Sequence, residues 1–340
     1  MNKSKFNKLA IIGTIITLAI VTAALIMLGH KEKIKVLILP KFEIGELSGD
    51  DAGEAQLLYE NYMNGAQKYD VKGSAQPLYV NNGVALLVGG EGKTAVSTSL
   101  AATLSDARFD FSDAYIVSTG CCGSPVETTV MGDVFVITAT ADYDLGHRAD
   151  IRDMENPQSD TTWFHDDEFD MTSSHVLNRA LCDLVYELTK DIKIETTDFT
   201  REFLAKNFNS AEWTQRNPKV MKGTSITSDN YWKGYYDEKT AKIISQAYGC
   251  PDEYVSAEME DNAVAQVAEQ YGMLDRLIVT RVSVDMDVFT NGMTPEKLWE
   301  NNTESLAQDE DESADIFGVA MNNLYNVTSV IIDAALNGTL

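Results

Sequence analysis

Apolar residues along the chain alternate between short unbroken runs and longer stretches in which they recur every three or four positions. The unbroken runs cover residues 35–39, 84–88, 114–118, 133–137 and 277–280. The helical spacing covers residues 54–62, the segment after Lys93, and residues 176–189 and 259–271. Short apolar runs bounded by turn residues are typical of buried strands, and the wider spacing is typical of helices that pack on them. The pattern therefore predicts an α/β fold in which strands and helices alternate.

Two of the predicted strands run into glycine-rich segments. The first is followed by GGEGK at residues 89–93, and the second by TGCCG at residues 119–123. We expect both segments to be turns, and ligands of open α/β sheets bind beyond the carboxyl ends of strands. Neither segment is a P-loop or a complete G-x-G-x-x-G fingerprint, which disfavours a nucleotide-phosphate site. The sequence predicts one binding crevice built from several loops.

The start of the chain has the composition of a segment that enters a membrane. Residues 9–28 carry no charge and consist mainly of Ile, Leu, Ala, Val and Thr. At about 1.5 Å per residue, a helix of that length spans a hydrocarbon layer of about 30 Å. Because no small-residue cleavage region follows, we expect residues 1–30 to be an uncleaved signal-anchor, with a cleaved signal peptide as the alternative. The remaining chain is then extracytoplasmic, either membrane-anchored or secreted.

Charge and cysteine content narrow the possible ligands. The 340 residues include 52 acidic and 27 basic side chains, for a net charge of −25. Such an excess repels phosphate backbones, so no nucleic-acid partner is expected. The four cysteines have no C-x-x-C spacing, and we expect neither a metal site nor a cofactor. The adjacent Cys121 and Cys122 are expected to pack as small apolar residues, with a redox role as the alternative.

Six short motifs occur in the order found in nucleoside phosphorylases and nucleosidases. They are GEGK at 90–93, STGCCG at 118–123, GDV at 132–134, TSDNY at 227–231, EME at 258–260 and RVSVD at 281–285. The chain resembles more closely the purine nucleoside permease family, which shares DNYWKG at 229–234, EDNA at 260–263 and NNLY at 322–325. The resemblance covers about residues 35–336, whereas residues 145–220 match the small nucleosidases poorly and are interpreted as an insertion.

The resemblance implies a three-layer nucleoside-phosphorylase-like fold, with a mixed central sheet flanked by helices. This domain covers residues 35–340 and is preceded by one N-terminal transmembrane helix. The resemblance also implies that the ligand is a purine nucleoside or nucleobase. It implies that the TGCCG segment contributes Cys121, Cys122 and Gly123 to the substrate-binding crevice.

Cleavage of a purine N-glycosidic bond develops negative charge on the departing base, so a general acid aimed at purine N7 lowers the barrier. The resemblance implies that Asp285 is this acid, and Asp287 is the alternative acid. A purely structural alternative for Asp285 is that its side chain caps the next turn. Glu260, with Met259 beneath the sugar, is expected to hold the ribose hydroxyls, because a carboxylate accepts from both at once. The alternative for Glu260 is an ordinary acid at a helix N-terminus.

Aromatic and histidine side chains complete the expected site. Tyr231 and Trp232 fall where the superfamily stacks aromatic rings on the base, with core packing as the alternative. His147 follows a predicted strand among carboxylates. We expect it at the rim of the crevice or at a neighbouring subunit's sugar site, with a structural hydrogen bond as the alternative.

The first glycine segment bears on the nucleophile. Gly90 and Gly92 flank Glu91, and the segment contains no Arg. The resemblance implies that phosphorylases hold phosphate near this segment with Arg and hydroxyl groups. Lys41, Lys93 and Thr94 are the remaining groups for an anion, so water is favoured over phosphate. The resemblance implies Glu43 as the carboxylate that activates water, and Glu46 and Glu54 compete for that role.

Three functions remain open at this point. One is a purine-nucleoside-binding protein that assists uptake, for which a separate membrane transporter moves the cargo because a single helix forms no channel. A second is a membrane-anchored nucleosidase without a transport role, and a third is an interaction module that keeps the fold with a degraded pocket. The carboxylates Asp285 and Glu260 argue against the third. A homo-oligomer is compatible with each.

Overall fold

The structure is a computed structural model, and it describes residues 31–150, 153, 161–165, 170–208, 216–297 and 310–340. The predicted signal-anchor or signal peptide, residues 1–30, lies outside the described residues. Among the residues that are described, no helix is long and apolar enough to cross a membrane.

Strands and helices alternate along the described chain. The strands are β1 (Glu32–Lys33), β2 (Val36–Leu39), β3 (Gln67–Tyr69), β4 (Leu78–Asn81), β5 (Val84–Leu87), β6 (Phe109–Asp110), β7 (Tyr115–Ser124), β8 (Val134–Asp142), β9 (His147–Arg148), β10 (Trp163–Phe164), β11 (Ser174–Val176), β12 (Val220–Thr227), β13 (Tyr254–Glu258) and β14 (Leu277–Met286). The helices are α1 (Gln56–Tyr62), α2 (Lys93–Leu104), α3 (Asp170–Ser173), α4 (Arg179–Thr189), α5 (Asp198–Asn207), α6 (Tyr235–Ala247), α7 (Asp261–Gln270) and α8 (Glu310–Asn337), with a 3₁₀ turn at Leu274–Arg276.

One ten-stranded sheet forms the centre of the fold, in the order β11-β8-β12-β13-β7-β2-β5-β4-β3. Strand β14 pairs parallel with β7 and antiparallel with β8. Strands β2 and β5, β2 and β7, β8 and β12, and β12 and β13 are parallel, whereas β3, β4 and β11 pair antiparallel. The sheet is mixed, as the sequence predicts.

Two strands near the centre of the sheet are buried along their whole length. All four residues of β2 and all nine of β8 are buried. Strands covered on both faces read as continuous apolar runs, which is the pattern seen in the sequence. Helix α8 packs on β7 and β14, and helices α2 and α7 pack on each other. The mixed α/β fold predicted from the sequence is confirmed, with helices against the sheet.

Two element boundaries differ from the sequence-based expectation. Strand β7 continues to Ser124 through the TGCCG segment, which we expected to be a turn. It stays extended because it pairs with β14 along that length. Residue Val176 was expected in a helix but belongs to β11, and α4 begins only at Arg179, where the Asn178 side chain accepts a 3.3 Å hydrogen bond from the Leu181 amide. Asn is a favoured residue at this N-cap position.

The carboxyl ends of β2, β7 and β14 lie together because these three strands run parallel as neighbours. Lys41 follows β2, the glycines of β7 lie near its end, and Asp285 lies at the end of β14. This edge of the sheet is where ligands of such folds bind.

Candidate functional site

A cavity of about 380 Å³ lies at these carboxyl ends. That volume is in the range of small-molecule sites. Its lining includes six carboxylates and three cations: Glu54, Glu91, Glu258, Glu260, Asp285, Asp287, Lys41, Lys233 and Arg281. The acidic excess means that the cavity disfavours an anionic ligand.

Glu260 occupies one end of the cavity and is only 4% exposed. Its Oε1 accepts a 2.8 Å hydrogen bond from the Gly92 amide, and its Oε2 accepts a 3.1 Å bond from Arg281 Nη2. Gly92 has a φ of 83°, a conformation that favours glycine and that turns its N–H toward the carboxylate. Burial raises the pKa of Glu260.

Arg281 organises the acids behind Glu260. It is 1% exposed, and its Nη2 also donates to Asp261 at 2.7 Å and to Glu258 at 3.1 Å. Glu258 in turn accepts from the amides of Glu260 and Asp261 at 2.6 and 2.7 Å, so it caps the start of α7. Burial, with Asp261 nearby, raises the pKa of Glu258 to about 7.

Glu54 lies on the same side of the cavity. Its two carboxylate oxygens accept from the amides of Cys121 at 2.8 Å and Lys41 at 2.7 Å. A Cβ on Gly120 would lie 2.6 Å from Glu54 Oε1 and 2.7 Å from Arg281 Nη1. The glycine of β7 therefore leaves the space that both charged groups occupy.

Lys41 is a buried cation next to Glu54. Its Nζ donates to the Ser118 hydroxyl at 2.8 Å and to the carbonyl oxygens of Leu39 at 2.9 Å and Thr119 at 3.3 Å. Burial lowers the pKa of Lys41.

Asp285 and Asp287 lie at the other end of the cavity. Asp285 Oδ1 and Oδ2 each accept from Lys233 Nζ at 2.8 Å, and Oδ2 also accepts from the Tyr231 hydroxyl at 2.7 Å. Asp287 is 3% exposed and pairs with the Tyr254 hydroxyl. Burial raises the pKa of Asp287 well above its ordinary value, so its carboxyl is protonated over a wider pH range than a surface Asp.

Two aromatic rings border this end. Trp232 stacks on Tyr143, with ring centroids 5.3 Å apart and planes 18° from parallel. Tyr231 is 60% exposed although its hydroxyl reaches Asp285. The site thus combines a buried carboxylate end with an aromatic end that carries an Asp–Lys ion pair.

A family model described as purine nucleoside permease (NUP) matches residues 33–338. The chain belongs to the purine nucleoside permease family. The resemblance inferred from the sequence motifs is therefore confirmed. A curated relative, the probable purine nucleoside permease C285.05 of Schizosaccharomyces pombe, is 23% identical over 270 residues, which cover 73% of this chain and 74% of the relative.

Solved structures similar in fold to this chain include nucleosidases. The 5′-methylthioadenosine/S-adenosylhomocysteine nucleosidase of Neisseria meningitidis, in complex with methylthio-immucillin-A, has a TM-score of 0.55 at 15% identity, covering 88% of this chain and 99% of that one. The Campylobacter jejuni nucleosidase of the same name has a TM-score of 0.52 at 16% identity, with 88% and 99% coverage. At such identities the likeness establishes the fold of this permease-family chain.

Most of the site residues expected from the sequence line the cavity. These are Cys121, Cys122, Gly123, Tyr231, Trp232, Met259, Glu260 and Asp285. Gly92 holds the Glu260 carboxylate, and Gly90 forms the turn before it, where its amide donates to the Lys41 carbonyl at 3.0 Å. Both thiols of the adjacent cysteines have a pKa raised by burial, which agrees with packing more than with redox chemistry.

Glu43 lies elsewhere, in contrast to the expectation for it. Its carboxylate accepts from the amides of Ala55 and Gln56, the latter the first residue of α1, and from the Gly53 and Ile44 amides. A carboxylate at that position stabilises the helix start. Of the three acids that competed for the water-activating position, Glu54 is the one that lines the cavity.

His147 is also placed away from the cavity lining. It is an exposed residue of the two-stranded sheet of β9 and β10, where its ring stacks on Phe164 at 5.2 Å. Lys93, expected as a partial anion site, donates to Asp142 at 3.0 Å and to Asp144 at 2.8 Å. Its charge is therefore compensated by two carboxylates.

Sequence reasoning assigned no role to Arg281, Lys233 or Glu258. Arg281 and Glu258 stood inside quoted motifs, and Lys233 inside DNYWKG. The available signal was an Arg in the middle of an apolar strand, which requires buried acidic partners.

Proposed function

We propose that this chain binds purine nucleosides in the cavity and hydrolyses their N-glycosidic bond with water as the nucleophile. The observation that carries the proposal is the pairing of two carboxylate ends: Glu260 held by Gly92 and Arg281, and Asp285 beside the aromatic rings. Family membership and the nucleosidase fold support the same ligand class.

Glu260 binds the ribose in this proposal. Gly92 donates to one carboxylate oxygen of Glu260 and Arg281 donates to the other. Each oxygen therefore keeps a lone pair that can accept from a sugar hydroxyl. Adjacent sugar hydroxyls are the ligand that fits two oxygens held in one plane. Charge-assisted hydrogen bonds of this kind are stronger than neutral ones.

Glu54 takes the proton of the attacking water. Water attacks the anomeric carbon, the bond from that carbon to the base nitrogen breaks, and its electron pair leaves with the base. The developing positive charge on the sugar is stabilised by the acidic excess of the lining. The same excess of carboxylates would repel phosphate. Arg281 is not available to bind phosphate, because it is already bonded to Glu258, Glu260 and Asp261.

The departing base takes a proton at N7 from the Asp285 end of the cavity. Asp285 faces the cavity with Lys233 and Tyr231 bonded to it. Asp287, two residues on, is the other carboxyl of that end, and burial favours its protonated form. Asp287 delivers its own proton to the base for the one that Glu54 removes from water. Asp285 reaches the same balance by passing on a proton that it takes from Lys233 or Tyr231, which donate to it.

A second candidate is nucleoside capture without cleavage, in service of uptake. The specific observation in its favour is that Asp285 already accepts from Lys233 and Tyr231, as a base-recognition carboxylate would. A separate membrane transporter then moves the nucleoside. For either candidate we keep the expectation that residues 1–30 place the domain outside the cytoplasm.

One experiment separates the two candidates. The full chain is titrated calorimetrically with purine nucleosides and with cytidine, and the same mixtures are then chromatographed for free base. Hydrolysis predicts purine-selective binding with release of free base. Binding without base release supports capture alone, and absence of purine binding contradicts both.

A further inference from the structure

The base end of the cavity carries a buried cation that the hydrolysis scheme leaves unused. Lys233 Nζ lies 2.8 Å from both carboxylate oxygens of Asp285, and each of these two side chains is 9% exposed. Both residues line the cavity. An ion pair this enclosed requires further hydrogen-bond partners to offset its loss of hydration.

Lys233 has donor capacity beyond Asp285. An ammonium carries three N–H groups. Within the described part of the chain, its two hydrogen bonds both go to Asp285. Asp285 accepts three hydrogen bonds, two from Lys233 and one from the Tyr231 hydroxyl, which use most of its about four acceptor positions. The third N–H of Lys233 is the donor that this pair can offer a ligand.

Purine bases differ at the edge that contains N7. A 6-oxopurine presents two adjacent acceptors there, N7 and O6, whereas a 6-aminopurine presents the N7 acceptor beside an N–H donor. A lysine ammonium complements the first pattern, and Lys is one of the two side chains that commonly bind guanine at O6 and N7. An incoming amino group would instead point an N–H donor at the N–H donors of Lys233, and only the last acceptor position of Asp285 would remain for it.

We propose that Lys233 donates to O6 of the base, which leaves N7 for the proton, so that the site selects 6-oxopurine nucleosides over 6-aminopurine nucleosides. This inference rests on the proposed binding of purine nucleosides in the cavity. It adds a specificity-determining residue and a substrate class to that site. Asp285 positions the ammonium, and Asp287 with the Tyr231 and Tyr254 phenols are the other ionisable groups at this end.

Calorimetry on the full chain tests the inference with three probes. Inosine is expected to bind at least about 10-fold more tightly than adenosine, the discrimination usual for a wrong base. Purine riboside, which has N7 but no group at position 6, is expected between them. Equal binding of inosine and adenosine, or tighter adenosine, overturns the inference alone. No binding of any probe overturns the proposed function instead.

Variants of Lys233 and Asp285 test whether the preference for inosine comes from Lys233. Lys233→Met combined with Asp285→Asn removes both charges together, so no unpaired buried charge remains. We expect it to lose affinity for inosine about 10-fold while adenosine changes little. Lys233→Arg, which keeps a charged donor, is expected to retain the preference, and Lys190→Met, an exposed site just after α4, is the control. An inosine preference that survives in the double variant contradicts the role of Lys233.

Discussion

The amide of Gly92 donates a 2.8 Å hydrogen bond to the Glu260 carboxylate, and these two residues are separated by 168 positions in the sequence. The bond joins the start of α2 to the start of α7 next to the cavity that Glu260 lines. It orients one oxygen of Glu260 while Arg281 orients the other. The carboxylate is therefore fixed before a ligand arrives, which lowers the cost of ordering on binding.

The first prediction concerns Glu260→Gln. An amide oxygen accepts less strongly than a carboxylate, and its NH₂ group offers a donor to Arg281. We expect nucleoside affinity to fall about 10- to 100-fold, as for loss of a charge-assisted hydrogen bond, and affinity for the free base to change little. Calorimetry with a nucleoside and its base measures both. The control is Glu91→Gln, an exposed acid at the cavity rim, and equal losses for both ligands would show that Glu260 does not contact the sugar.

The second prediction separates Glu54 from its sequence neighbours. If Glu54 removes a proton from water, Glu54→Gln lowers the cleavage rate by about 10² to 10⁴ and leaves nucleoside binding largely intact. Base release and calorimetry measure the two effects. Glu46→Gln is the control, because Glu46 is exposed and lies outside the cavity lining. A normal rate in the Glu54 variant would reject its role as the base.

The third prediction concerns the proton that the departing base receives. Asp285→Asn keeps the size of the side chain and an oxygen acceptor for Lys233, but it leaves that ammonium without a carboxylate, so folding is checked by thermal unfolding. In the folded variant we expect binding to persist while cleavage falls by about 10² to 10⁴. Asp287→Asn is made alongside it. A loss of turnover only in the Asp287 variant transfers the acid role to that residue, whereas unchanged turnover in both rejects a carboxyl donor at this end.

The fourth prediction is a pH dependence of stability that comes from Glu258. Its pKa is raised from 4.5 to about 7 in the folded state, so the folded protein holds a proton that the unfolded chain releases. Its contribution is present below pH 4.5 and is lost as the pH rises through about 7, by at most about 3 kcal/mol. Urea unfolding measures this loss.

Glu258→Gln should lose less stability than the unmodified protein between these two pH values. Glu187→Gln, an exposed position on α4, serves as the control and should keep the full dependence. A Glu258→Gln profile that parallels that of the unmodified protein would show that this carboxyl does not take up the proton.

The sequence allowed the strands and helices of the centre to be predicted, because continuous apolar runs report burial on both faces. It misled at residues 119–123, where glycines suggested a turn. In β7 these glycines belong to a strand and leave room for neighbouring carboxylates. A Cβ at Gly123 would lie 2.5 Å from Asp287 Oδ1, and one at Gly120 would lie 2.6 Å from Glu54 Oε1. Local composition does not distinguish a glycine that turns the chain from one that admits a side chain.

Site residues that belong to a sequence motif could be predicted, whereas those that only the tertiary structure brings to the site could not. Glu260 and Asp285 stand in motifs, but the choice of Glu54 over Glu43 depends on which carboxylate points toward β7. That direction is set by the path of residues 43–56, which has no periodic pattern to read. Lys233 likewise acquires its role from Asp285, 52 positions away.

The identity of the nucleophile is the central claim, and product analysis tests it directly. The full chain is incubated with a purine nucleoside in buffer without phosphate and in buffer with excess phosphate, and the released sugar is identified by mass spectrometry. The acidic lining and the occupied Arg281 predict equal rates in both buffers, with ribose as the sugar product. Cleavage that requires phosphate and yields ribose 1-phosphate would contradict hydrolysis and identify a phosphorylase.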